Sequence, residues 1–212
     1  MGTRDRILDA AAHVMRVHGL ARATTREIAK AAGYSEATLY KHFRDKVDLF
    51  LAVLAERTPA NLRPLLADLP ARAGRGTVRD TLVEVARAAI GFYGETFPMA
   101  ASLFAEPQIL AAHRDAVHER GAGPHHVNQA LAAYLAAERN LGRIRRECDP
   151  EAAATLLLGA CFQHAFLNSF SGKENDQESA ERLAAALTDT LTLGLSPQDA
   201  PPPAGQPSTS PS

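Results

Sequence analysis

Residues 24–46, TTREIAKAAGYSEATLYKHFRDK, constrain this chain more than any other stretch. Thr24 followed three residues later by Glu27 is a capping box, in which each side chain satisfies a backbone N–H of the other residue, so a helix opens there. Ile28, Ala29 and Ala32 give that helix one apolar face. Gly33 can take the positive φ that ends a helix, and Ser35 can cap a second helix by accepting from the N–H near Thr38. Leu39 and Phe43 then lie four apart and point inward, which leaves Glu36, Lys41 and the hydroxyls of Thr38 and Tyr40 for other faces. Two short helices around a glycine turn, the second polar on its outer side, form the pattern of a helix-turn-helix. The expected partner is double-stranded DNA.

The surrounding chain fits that partner. The net charge is only −1, but residues 1–57 hold ten Lys/Arg and seven Asp/Glu, so the head is basic and the remainder acidic. Phosphate attraction is local, because charges beyond a Debye length of about 8 Å are largely screened. Alanine and leucine dominate, β-branched and aromatic residues are few and Trp is absent, which predicts an all-α protein. Cys148 and Cys161 match neither a metal spacing nor a disulfide framework, and no signal-peptide pattern opens the chain. The longest largely apolar run, residues 152–161, is too short to span a bilayer. These features predict a soluble, cytoplasmic protein with no membrane association.

Elsewhere the periodicity predicts more helices. Residues 4–18 carry Ile7, Ala11, Val14 and Met15 on one face, ended by Gly19. Asp45 caps a fourth helix with Val47, Phe50, Leu51 and Leu54 inward, and Pro59 and Pro64 bend or stop it. Residues 70–77 read as a loop whose Arg72 and Arg75, with Arg79, are either solvated or an auxiliary phosphate contact. A helix over 78–96 is followed by a short one from Pro98, a break at Pro107, and helix again over 109–120 and 125–140. Asp149-Pro150-Glu151 starts a helix to about residue 170 that is apolar nearly all round and must be buried on several sides. The last helix, residues 178–195, sets Leu183, Leu187, Leu191 and Leu195 at spacing four. Two such neighbouring helices predict a two-fold, four-helix interface of a homodimer, with Leu157, Leu183, Leu187 and Leu191 at it; the alternative is burial within one chain. The organisation is then a head over 1–47, a body over 48–195 and a disordered tail over 196–212.

The motif Thr25-x-x-Ile28-Ala29-x-x-Ala32-Gly33-x-Ser35-x-x-Thr38-Leu39-Tyr40-x-His42-Phe43-x-x-Lys46, followed by Leu49, resembles the N-terminal signature of the tetracycline-repressor (TetR) family. The resemblance implies a three-helix DNA-binding head on a helical ligand-binding and dimerisation bundle, in a homodimeric repressor released from a palindromic operator by a small molecule. It also implies that Ser35, Glu36, Ala37, Thr38 and Lys41 lie near base edges or the flanking backbone. Tyr40 and His42 match the family's phosphate-contacting pair, with Lys46 and Thr25 beside them at helix starts. Tyr34 departs from the small aliphatic residue usual after the turn glycine and would add a phosphate or base contact.

The effector site would lie among the C-terminal helices, with Phe92, Phe97, Met99 and Phe104 as candidates, joined by Tyr134, Phe162, His164 and Phe166. Few charges fall there, so an apolar ligand is expected; each residue taken singly also suits an ordinary core. An activator, or a regulator answering a partner protein, would carry the same head. A helical metal protein is the remaining alternative, but His113 and His118 are five apart and His125 and His126 adjacent, neither of which suits a metal on a helix. No phosphate loop or nucleophile elbow occurs. No enzyme, cofactor or metal site is expected.

Overall fold

The computed structural model describes residues 1–57, 62–119, 123–173 and 176–195, residues 20 and 21 by their backbone alone. The bend expected at Pro59 and the tail over 196–212 lie outside these residues. Ten α-helices occur among the described residues: α1 (Thr3–Arg22), α2 (Thr25–Ala32), α3 (Glu36–Tyr40), α4 (Lys46–Glu56), α5 (Leu62–Arg72), α6 (Val78–Leu103), α7 (Pro107–Glu119), α8 (Pro124–Asn140), α9 (Pro150–Phe170) and α10 (Gln177–Leu195).

The caps sit where the residues put them. Thr24 Oγ1 accepts from Glu27 N at 3.2 Å while Glu27 Oε2 accepts from Thr24 N at 3.2 Å, closing the capping box of α2. Gly33, at φ 77°, ends α2 in the left-handed region. Asp45, Thr77 and Asp149 each accept a backbone N–H in the first turn of α4, α6 and α9. Within α1, Gly19 (φ 71°) breaks the regular helix as its position predicts.

The buried side chains form two clusters. The head cluster gathers Ile7, Leu8, Ala11 and Met15 from α1, Ile28 and Ala29 from α2, Leu39 and Phe43 from α3 and its following turn, and Leu49, Phe50 and Val53 from α4. It does not close at residue 47, since Met99 and Leu103 of α6 and Ile109 of α7 belong to it. The body cluster is built from α5, α6, α8, α9 and α10 around Leu82, Val85, Leu131, Tyr134, Leu157 and Cys161. α6 therefore serves both cores, packing against α9 and α10 in the body and against α1 in the head, where its Met99 and Leu103 lie.

This dual burial explains why the two helices expected on either side of residue 97 are one. Pro98 lies inside α6. An interior proline costs about 3 kcal/mol, while burying Met99 and Leu103 contributes about 1.5–3 kcal/mol each, so continuity wins. The Thr96 hydroxyl, donating to the Phe92 carbonyl at 2.7 Å, satisfies a neighbouring backbone acceptor. Similarly, α5 runs through Pro70 to Arg72, because Leu62, Leu65, Leu66 and Leu69 are buried, and shortens the loop expected from residue 70.

Charged pairs tie the elements together. Arg57, just past α4, reaches back to α1 through Asp9 (2.7 Å) and Asp5 (3.2 Å), and Arg4 pairs with Glu56 through two bonds of 2.8 and 2.7 Å. Of the basic residues near the α5–α6 connection, Arg72 is held by Asp68 and Glu84 and Arg79 by Asp189 of α10, so two of the three have carboxylate partners within the chain. Glu138 of α8, fully buried, accepts from Gly74 N at 3.2 Å and lies 3.3 Å from Arg143 Nη1. It anchors that connection to the body, and an unsatisfied carboxylate there would be costly.

Candidate nucleic-acid interface

Burial of Leu39 and Phe43 decides which way α3 faces. With these two inward, Ser35, Ala37, Tyr40, Lys41 and His42 are exposed, and Glu36 and Thr38 are half-buried. The Ser35 hydroxyl accepts from Thr38 N at 3.2 Å and lies 3.0 Å from the Thr38 hydroxyl, so it caps α3. The helix is short: Lys41 is its C-cap and His42 lies in the following turn, so both extend the exposed face from its end. Lys46 opens α4, half-buried, behind the Asp45 cap.

Four expected contact residues, Tyr34, Thr25, Glu36 and Tyr40, are engaged within the chain. Tyr34 is half-buried against the head cluster, and its hydroxyl accepts from Arg6 Nη1 at 3.4 Å. Bonds from Thr3 and then Arg6 hold its phenol below the usual range. Tyr34 thus bolts the turn to the start of α1. Glu36 Oε1 accepts from Thr25 Oγ1 at 2.7 Å, and Thr25 Oγ1 accepts from Tyr40 OH at 3.3 Å. Arg4 lies over the Phe43 ring at 5.3 Å, adding a cation–π contact under this surface.

The structure separates the eight effector candidates. Phe92 and Phe97 of α6 and Phe162 and Phe166 of α9 belong to a row of rings completed by Tyr93 and Phe170, with successive centroids 5.5–6.1 Å apart. Burial pushes the Tyr93 phenol up to about 12. His164, one turn from Asn168, has its Nε2 3.0 Å from that amide. The other three do not join the row. Met99 is in the head core, Tyr134 is buried in the body core, and Phe104 stands 74% exposed beyond α6. A cavity of about 510 Å³ opens elsewhere, between α5, α6 and α10, with Leu65, Ile90 and Ala180 among carboxylates such as Glu84, Glu95 and Glu181, and none of the eight lines it. The sequence does not single out Tyr93 beside Phe92, because adjacent aromatics on a helix diverge by about 100° and only packing brings both into one row.

The expected dimer residues are also redistributed. Leu157 is 2% exposed and packs in the body core, and Leu183, Leu187 and Leu191 lean on the same core from α10. All three are half-buried, so each packs one side on the body core and leaves the other uncovered. The uncovered stripe is Leu156, Gly159, Gln163, Leu167 and Phe170 of α9, at spacings of three and four, with Leu193 exposed on α10. The all-round apolar character of α9 is legible in the sequence; which of its residues stay uncovered is not.

Among the described residues no three His, Cys, Asp or Glu side chains gather as a metal site, and no helix is long and apolar enough to cross a membrane. Both cysteines are free and buried, and burial pushes the Cys161 thiol up to about 12.

Two family models account for most of the chain. The model for bacterial regulatory proteins of the tetR family matches residues 7–53, and that for the C-terminal domain of AefR-like transcriptional repressors matches residues 80–193, more than half of the chain. Among curated relatives, the HTH-type transcriptional regulator SrpR of Pseudomonas putida is 44% identical over 55 residues, 26% of each chain. AcrR of Shigella flexneri is 46% identical over 48 residues, 23% of this chain and 22% of the relative. The chain thus matches about a quarter of the length of these relatives. Solved structures match over the whole fold. FadR from Bacillus subtilis in complex with stearoyl-CoA has a TM-score of 0.66 at 17% identity, covering 90% of this chain and 98% of that one. The complex of triclosan with SmeT, the repressor of the Stenotrophomonas maltophilia efflux pump SmeDEF, has a TM-score of 0.63 at 22% identity, covering 97% and 100%. With α3 exposing a polar face at the start of a helical body, these matches place the chain in the TetR family of DNA-binding transcriptional regulators.

Proposed function

We propose that this chain is a homodimeric repressor that leaves a palindromic operator when a small apolar molecule binds its body. The observation that carries the reading is the joint exposure of Ser35, Ala37, Tyr40, Lys41 and His42, four of them polar, over a buried Leu39–Phe43 backing. Two copies of α3 enter successive major grooves. Ala37, Thr38 and Lys41 meet base edges, with Lys41 donating to a guanine. Tyr40, His42, Thr25 and Lys46 hold phosphates and set the register. Tyr34 supports the turn from behind.

The α9 stripe from Leu156 to Phe170, with Leu193 of α10, covers its counterpart in a second copy, as an exposed apolar strip of this length on two adjacent helices favours. The aromatic row between α6 and α9 faces the effector. FadR with stearoyl-CoA and SmeT with triclosan are similar folds holding lipophilic molecules, which supports an apolar effector here.

Selection of bound fragments from genomic DNA should return an inverted repeat. On that duplex Lys46→Ala should weaken binding for all sequences alike and reduce the salt slope by about one. Unchanged affinity and slope would remove Lys46 from the phosphate contacts. The pair Leu156→Glu and Leu167→Glu should sediment as a monomer with poor operator affinity; a persistent dimer moves the interface elsewhere. A saturating effector at a hundredfold excess over its Kd should stabilise the fold by about 2.7 kcal/mol, and operator binding indifferent to every stabilising compound would sink ligand release.

A further inference from the structure

Three side chains of the head are joined in series. Tyr40 OH donates to Thr25 Oγ1 at 3.3 Å, and Thr25 Oγ1 donates to Glu36 Oε1 at 2.7 Å. Each hydroxyl has one proton to give, and both run toward the carboxylate. Thr25 opens α2, while Glu36 and Tyr40 stand at the two ends of α3, so the series bridges both helices of the motif. Tyr40 is exposed, and Thr25 and Glu36 are half-buried.

A DNA phosphate oxygen accepts hydrogen bonds and donates none. It can take the Thr25 proton only by removing it from Glu36. The carboxylate would then lose a charge-assisted bond while standing close to phosphates, which is unfavourable on both counts. One kind of group in the major groove relieves it: an exocyclic amino group, cytosine N4 or adenine N6.

We propose that Thr25 and Glu36 are a coupled reader, in which Thr25 gives its proton to the backbone only where the base facing Glu36 presents an amino group. Glu36 is then a specificity-determining residue whose effect is delivered through a phosphate contact. Where the facing base offers only acceptors, Glu36 keeps Thr25 and the phosphate bond is not made. The proposal rests on α3 being the groove-facing helix.

The test uses the full chain. Duplexes are selected from a random library by the wild type and by Glu36→Ala, and the position whose preference the variant loses is identified. Affinity is then measured on the selected duplex and on the same duplex with that base pair inverted, which moves the amino group to the other strand. Thr25→Val should weaken binding to the selected duplex at least about tenfold and to the inverted one less than about twofold, the first being the worth of one bond to a charged group. Thr25→Ala should repeat the pattern, so that a folding defect in one variant does not decide the outcome, and Thr25→Ser should behave as wild type on both. Equal factors on the two duplexes, or a Glu36→Ala selection identical to wild type, overturn the coupling while leaving DNA reading by α3 intact. Failure of the wild type to select any sequence overturns both.

Discussion

α3 has five residues and α9 has twenty-one, and each leaves one face uncovered by the rest of the chain. The face of α3 is polar and was legible from residues no more than four apart: Ser35 caps, Leu39 and Phe43 turn inward, and the remainder is left outside. The face of α9 is apolar, and the same residue types line its inner side as Leu157, Leu158 and Cys161 and its outer side as Leu156, Leu167 and Phe170. A polar group on a helix announces its exposure, because burying it without a partner costs free energy. An apolar residue serves a core, a pocket or an interface equally well. The head therefore declares its role locally, while the body's faces depend on which helices happen to meet.

That contrast can be broken, the largest effect first. Phe50→Ala removes a fully buried ring from the head cluster and should cost about 3–5 kcal/mol in denaturant unfolding. If amide protection in α9 fell as far as in α1, head and body would be one cooperative unit and the distinction would fail. Met99→Ala should cost about 2–5 kcal/mol. Because Met99 packs in the head although α6 starts in the body, its loss should register in α1 and α4 before α8. Protection lost first in α8 would assign Met99 to the body. Thr24→Ala opens the capping box and should cost about 1 kcal/mol, confined to α2 and measurable as weakened DNA binding with an unchanged body.

The smallest effect is acid sensitivity. Arg57 holds the Asp5 carboxyl below its usual range by hydrogen bonding, and Arg4 does the same to Glu56. A carboxylate whose folded pKa is depressed contributes stability that is present above its unfolded value, about 4, and lost as pH falls through the lower folded value. Head melting temperature should therefore decline as pH falls below about 4. Arg4→Met should flatten that decline; these pairs are solvent-exposed, so the slope is shallow. An unchanged slope in Arg4→Met would mean the pair with Glu56 contributes nothing to the head.

Much of the fold was readable because caps are local. The starts at Thr24, Ser35, Asp45 and Asp149 each need only a side-chain oxygen and an N–H two or three residues on. Proline misled where tertiary burial outweighed it, as at Pro70 and Pro98. The candidate site divided along the same line. Ser35, Ala37, Tyr40, Lys41 and His42 are exposed together, whereas Tyr34, Thr25 and Glu36 have partners in α1, α2 and α3 that no spacing predicts. Of the effector candidates, only those on facing sides of α6 and α9 entered the aromatic row.

By itself, then, the sequence determined the helix-turn-helix, its helix starts and the direction in which α3 looks, since capping and helical periodicity act over three or four residues. Only the tertiary structure decided that one helix, α6, serves both cores, that the leucines of α10 lean half-buried on the body core while Leu156 and Phe170 stay exposed, and that Glu36 is held by Thr25. These depend on contacts between residues far apart in the chain, where apolar burial is non-directional and any face of sufficient area can win.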